Sequence, residues 1–285
     1  MSTVRCIFER GIDIRLVGER WRISSGLSDL SYTSLSEAAG ALSPLRPVLL
    51  YSGPAGEQDR PSLMRPNVWG FFRSTRQSSA GRDWRTMDHA YQLEYLVDAI
   101  QYHCINIGKL YAAIVMTFME HLQQDGEFGK SGVAALSHQT EPYFEFDALI
   151  GCARRAYDST RYLLWALYGD RGSVPNSLEA TLKGHHRIPP DLHARLASSW
   201  HQFGIPLSDY RHCIHHYVSV DFAMASAVMR RLPIGAWGVT MRIPDNPQVR
   251  SHKHFTFRRD LDALTYAWEL AFEMLDVAKA VSDAP

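Results

Sequence analysis

The chain has only four cysteines, Cys6, Cys104, Cys152 and Cys213, all far apart and with no CxxC among them. That spacing argues against a zinc ribbon or a thioredoxin-type redox motif and fits free thiols in a reducing cytoplasm. Long apolar runs are missing as well. The longest, Tyr111 to Met119, is nine residues and includes Thr117, whereas a membrane span needs about 20. The opening Met1-Ser2-Thr3-Val4-Arg5 lacks the charged-then-apolar pattern of an export signal, so the expectation is a cytoplasmic protein without a membrane partner. Net charge is also absent: 30 Lys+Arg stand against 30 Asp+Glu, which excludes a strongly basic nucleic-acid coat protein and an acidic disordered tail. No internal repeat and no low-complexity tract interrupts the 285 residues.

Apolar and aromatic residues, by contrast, are plentiful. The 46% hydrophobic fraction, with seven Trp, 13 Tyr and 12 Phe, provides for a sizeable core. The first 85 residues read as a small α+β region. Ile12 to Leu16 and Trp21 to Ile23 alternate apolar with polar across a Gly18-Glu19 turn, the pattern of a hairpin. Ser34 to Leu42 reads as a short helix and Pro47 to Tyr51 as a buried strand. Ser52 to Arg85 has no period and reads as a long connection carrying one sticky patch, Trp69-Gly70-Phe71-Phe72.

From Thr86 the period becomes helical. Leu93, Leu96, Val97, Ile100, Ile107, Leu110, Ile114, Phe118 and Leu122 recur at steps of three and four, predicting a helix of about 35 residues stopped by Asp125-Gly126. Ser131 to Pro142 reads as loop. A second helix is expected from about Tyr143 to Tyr168, stopped by Gly169, and a short one from Pro190 to Phe203, broken by Gly204-Ile205-Pro206. Ser208 reads as the N-cap of another helix reaching about Leu232. Two short strands follow, Ala236 to Ile243 and His254 to Phe257, and a last helix covers Leu261 to Val281. The fold class expected is mainly α: an antiparallel bundle of four or five helices over 86–285, with a β hairpin before the last helix.

Several chemical signatures fail. Gly129-Lys130-Ser131 has Gln124 where a phosphate-binding loop needs its first glycine, and a helix rather than a strand precedes it. Neither GxSxG nor HExxH occurs. Among 13 histidines, His185-His186 falls in a polar loop, and His252 and His254 flank a predicted strand. The dense group is Arg211-His212-Cys213-Ile214-His215-His216. His212 and His216 share a helix face and offer two metal ligands, with Asp209 and Asp221 as the nearby carboxylates; the sequence reading assigns no metal and no cofactor.

The same segment resembles the RxxxxH signature of the HEPN superfamily, the "higher eukaryote and prokaryote nucleotide-binding" helical domains, many of which are similar to metal-independent ribonucleases. Here the match is Arg211, the polar His212 directly after it, and His216, preceded by two long predicted helices. The second of these, Asp147 to Asp158, looks like the corresponding helix of the family. The resemblance covers roughly 86–281 and says nothing about the first 85 residues. It implies an endoribonuclease that drives the 2′-hydroxyl onto the adjacent phosphate, in a defence or toxin-like system with a regulatory or antitoxin partner. It equally accommodates a non-catalytic module that binds RNA or a nucleotide.

The residue chemistry fits that expectation. His216 has the basicity to take the 2′-OH proton, and the planar Arg211 fork suits a phosphate. His212 serves as the acid or as a phosphate donor. A helix start at Ser208 would add N–H groups that favour an anion. Arg154, Arg155, His215 and Lys253 are the candidates for substrate binding, and Asp158 is a carboxylate that either positions the pair or simply neutralises Arg211. On an ideal helix five residues turn about 500°, so Arg211 and His216 point about 140° apart. HEPN-like proteins resolve this by dimerising, which makes a homodimer the implied assembly.

Overall fold

The computed structural model describes residues 2–8, 13–17, 20–24, 29–32, 47–54, 84–124, 132–169, 173–184, 187–220, 227–231, 237–249 and 251–283. The predicted helix at Ser34–Leu42, the patch Trp69–Phe72 and the His185-His186 pair lie outside them. Alternation in the N-terminal region yields the expected hairpin: β2 (Asp13–Val17) pairs antiparallel with β3 (Arg20–Ser24), setting Leu16 opposite Trp21 and Ile14 opposite Ile23. Three further strands extend it, β1 (Ser2–Phe8), β4 (Asp29–Tyr32) and β5 (Pro47–Pro54), in the antiparallel order β4-β3-β2-β1-β5.

The rest is mostly helical with a small three-stranded sheet. Helix α1 (Trp84–Gln124) carries the apolar stripe read from the sequence, and Leu93, Leu96, Ile100, Ile107 and Phe118 are fully buried on it. Helix α2 (Glu141–Tyr168) starts with Pro142 in its first turn, where the missing N–H costs nothing. It stops at Gly169, whose amide donates to the Trp165 carbonyl in a place where a Cβ would lie 2.4 Å from that oxygen. His89 of α1 stacks on Tyr162 of α2 at 4.9 Å, while His103 meets Glu145. The two long helices therefore run antiparallel.

A short α3 (Leu178–Gly184), in a stretch that reads as Gly/Pro/Asn-rich loop, is capped by Ser177, whose Oγ accepts the Ala180 amide. Helices α4 (Pro190–Ser199) and α5 (Ile205–His216) are joined without a break by one π turn, Trp200–Gly204, in which the Ile205 N–H reaches the Trp200 carbonyl. Gly204-Ile205-Pro206 therefore does not end the helix. The wider π turn has already released the hydrogen bond that Pro206 cannot donate. Gly204 is needed for another reason, because a Cβ there would fall 2.3 Å from the Trp200 ring.

The largest departures come next. The helix expected to reach Leu232 ends at His216, with Tyr217 off the helical conformation at φ −132°. Its continuation supplies β7 (Ala227–Arg231), the central strand of a sheet with β6 (Val133–Leu136) and β8 (Trp237–Thr240). The hairpin before the last helix is thus β7–β8, with Met229 opposite Val239. His254 to Phe257 is not its second strand. That segment follows a 3-10 turn (His252–His254) and is tied back by the Asp245 amide to the Thr256 carbonyl. Helix α6 (Ala263–Asp283) closes the fold. Its first turn is held by Asp262, which accepts the Thr265 amide and the Tyr111 hydroxyl.

One continuous apolar core joins α1, α2, α4, α5, α6, β7 and β8. Phe118 packs on Trp237 at 4.8 Å, and Phe146, Tyr210 and Tyr266 form an aromatic cluster between α2, α5 and α6. Burying each such ring contributes on the order of 2 kcal/mol. This cluster fixes α5 against α2. Among the described residues no helix is long and apolar enough to cross a membrane.

Candidate functional site

Helix α5 buries Leu207, Tyr210 and Cys213 and turns Arg211, His212, His215 and His216 outward, all four exposed. The Tyr210 hydroxyl donates to the Pro244 carbonyl at 2.6 Å, which locks the helix against the segment after β8. This anchoring, not a cap, positions the motif. Ser208 is not the first residue of a helix: it lies inside α5, and its hydroxyl donates to the Gly204 carbonyl. Among the described residues no helix starts at the motif, and the nearer end of α5 is the carbonyl end, whose partial charge repels an anion.

His212 and His216, one turn apart, place their ring centres 4.8 Å from each other. The Tyr217 hydroxyl lies 3.2 Å from His212 Nε2, and the two rings meet edge to face at 5.2 Å. Tyr217 joins this group because α5 ends at His216 and leaves Tyr217 outside the helix. Asp209, three residues before His212, has its carboxyl pKa raised by burial and drawn back down by that histidine. Among the described residues no group of three or more His, Cys, Asp or Glu converges on a metal position.

The antiparallel neighbour of α5 is α2. Arg211 lies close enough to Arg154 for their charges to interact: burial lowers the Arg154 pKa, Asp158 raises it, and the guanidinium groups of Arg211 and Arg161 lower it further. Asp158 is taken by Arg154 at 3.1 Å and by Arg161 at 3.8 Å. It does not neutralise Arg211, and among the described residues no carboxylate does. Two guanidinium groups therefore share one carboxylate, and Arg211 adds a third positive charge beside them. Arg154 is further held by Trp200, its Cζ lying 5.3 Å from the indole centre.

The other candidates separate. His215 faces the opposite part of α2, where burial raises the Asp147 pKa and the His215 charge lowers it. Arg155 is exposed one position round from Arg154, and no contact among the described residues links it to the histidines. Lys253 is exposed on the 3-10 turn beside His252. His252 Nε2 lies 2.7 Å from the Ser219 carbonyl, which ties that turn to the chain leaving α5. Arg211, His212 and His216 with Tyr217 and Arg154 thus form one surface, and no contact among the described residues joins Lys253 to it. No protein-family model, curated protein or solved structure matches the chain.

Proposed function

We propose that this surface is the working part of a metal-independent endoribonuclease of HEPN type. The observation that carries the reading is the pairing of two side-by-side histidines with Arg211, which lies near Arg154 while the nearby Asp158 is already shared by Arg154 and Arg161. A phosphodiester bound at the arginines would relieve that repulsion. Charge-assisted hydrogen bonds from guanidinium to phosphate are the strong class, so the arginines take over the role of the absent helix N-terminus.

In the proposed step His216 removes the 2′-OH proton as that oxygen bonds to phosphorus. The bond from phosphorus to the 5′-oxygen breaks, and protonated His212 donates to the leaving oxygen. The products are a 2′,3′-cyclic phosphate and a free 5′-hydroxyl, with one proton gained by His216 and one given up by His212. Because Arg211 and His216 diverge around α5, a second copy of the chain completes the site in a homodimer. The substrate class is RNA, and a toxin-like or defence role with a controlling partner fits an activity of this kind.

Labelled RNA incubated with the purified protein in EDTA tests the reading. Cleavage that survives chelation and disappears in His216→Ala supports it. RNA retained without cleavage favours the binding module instead. A strictly monomeric protein on size analysis counts against the composite site.

A further inference from the structure

The outer face of the α1–α2 pair carries rings that the core leaves out. Tyr95 and Tyr102 lie seven residues apart on α1, two turns along one stripe, with the exposed Asp98 between them. Phe144 opens the neighbouring stripe of α2, followed by Ala148, Gly151 and the exposed Arg155. Both stripes step by four and three residues, the spacing with which helices meet helices. The contact between His103 and Glu145 holds their sequence neighbours Tyr102 and Phe144 at one level of the two antiparallel helices. Phe144, Tyr95 and Tyr102, exposed by 67%, 65% and 60%, are the three most exposed large apolar side chains among the described residues.

Gly151 sits in the middle of this face. A glycine inside a helix costs about 1 kcal/mol against alanine. Nothing within the chain asks for it, because a Cβ there would meet no atom within 4 Å. With Ala148 one turn before it, the missing side chain leaves a dip beside the projecting rings. A two-fold axis through such a face sets the rings of each copy against the small residues of the other, the self-complementary contact of an isologous dimer. The charges agree. Asp98 and Arg155 carry opposite signs on the same face, and among the described residues neither is drawn into an ion pair. At about 200 Å² for each aromatic side chain, the exposed ring area comes to roughly 400 Å² per copy. That is the size of the largest apolar patch on a typical monomer and half of the ~800 Å² that each partner gives to a standard interface.

We propose that this face, built from Tyr95, Asp98 and Tyr102 of α1 and Phe144, Gly151 and Arg155 of α2, is where a second copy of the chain docks, with Asp98 of one protomer meeting Arg155 of its partner. The proposal rests on the homodimer of the ribonuclease reading and names its seam. Arg155 follows Arg154, whose side of α2 turns toward Arg211 of α5. The docked copy therefore comes to the margin of the surface that holds the histidines.

Sedimentation velocity of the full-length protein over a range of concentrations, without RNA, tests this. The expected result is a dimer whose dissociation constant rises about tenfold or more in Tyr102→Glu and in Gly151→Leu, with helical circular dichroism unchanged. Leucine finds room within the chain, so only a neighbouring copy feels it; Tyr102→Glu decides the matter if Gly151→Leu does not fold. Asp98→Arg and Arg155→Asp each weaken the dimer, and the two together restore it, because the pair across the axis is then reversed rather than lost. A protein that stays monomeric at every concentration overturns the proposal, as does a dimer whose dissociation constant none of these variants moves. A dimer formed through this face that leaves RNA uncut counts against the ribonuclease reading alone.

Discussion

Removing one oxygen atom, in Tyr111→Phe, tests how the core holds the start of α6. The Tyr111 ring is fully buried, and its hydroxyl donates to Asp262 Oδ1 at 2.8 Å while accepting the Leu264 amide at 3.2 Å. Asp262 also accepts the Met241 amide at 2.9 Å, the Thr265 amide at 3.0 Å and the Thr265 hydroxyl at 3.1 Å. Phenylalanine fills the same space, so the cavity cost is small. The lost bond to the carboxyl is worth about 1.5–3 kcal/mol. Leu264 sits in the first turn, where its amide has no intrahelical acceptor, and leaving it buried and unpaired costs about 1–3 kcal/mol more. The combined loss is about 2.5–6 kcal/mol, or a melting temperature lower by roughly 5–20 °C for a unit of this size.

Urea and thermal denaturation followed by circular dichroism near neutral pH measure this directly. A pH series adds a second readout. Burial raises the Asp262 pKa above its ordinary 3.8 even though four hydrogen bonds oppose the shift. The folded state therefore binds a proton that the unfolded state has released, and stability falls as pH rises from about 3.8 through the folded value. Deleting the Tyr111 donor raises the folded value again, so the fall extends to higher pH in the variant. A Tyr111→Phe protein within about 0.5 kcal/mol of the parent, with an unchanged pH series, refutes this account of the α6 start.

Gly204→Ala drives a Cβ to 2.3 Å from the Trp200 ring, which is packed edge-on to Tyr157; a loss of about 1–3 kcal/mol in chemical denaturation is expected, despite alanine's better helix propensity. Arg195→Ala removes both hydrogen bonds, 2.7 and 3.0 Å, that bind α4 to Glu273 of α6, whose side chain is only 12% exposed. The expected cost is about 1–2 kcal/mol at low salt, shrinking in concentrated salt. His103 has a raised pKa, so its pairing with Glu145 and Cys152 contributes stability below about pH 6.5 that is lost as pH climbs through the folded value. Imidazole NMR shows a titration above the usual 6.5, and His103→Gln flattens that part of the stability profile.

What the sequence makes legible is whatever repeats locally. The three-and-four stripe of α1, the Gly169 stop of α2 and the β2–β3 alternation all follow from short-range period and turn chemistry. Strand β7 is hidden because Ala227-Val228-Met229-Arg230-Arg231 is mostly helix-forming, and pairing on both sides overrides that preference. Its partner β6 lies nearly a hundred residues earlier with two alanines at its centre, so neither strand announces the other. Within the site, the Arg211 and His216 spacing is visible in one dimension. The approach of Arg154 and the closing of Tyr217 on His212 depend on how two antiparallel helices pack and on where α5 ends.

The π turn at Trp200–Gly204 makes the orientation of α5 a matter of residue number rather than residue type. A π turn houses one more residue than the α-helix around it. Each residue of an α-helix advances the facing direction by about 100°. Removing a single residue between Ser199 and Ile205 would straighten the rod and carry Arg211 and His212 about a quarter-turn around it, away from Arg154. Changes of side chain within the turn leave that phase alone. A one-residue insertion or deletion there would separate the two halves of the cationic surface while leaving every residue on it in place.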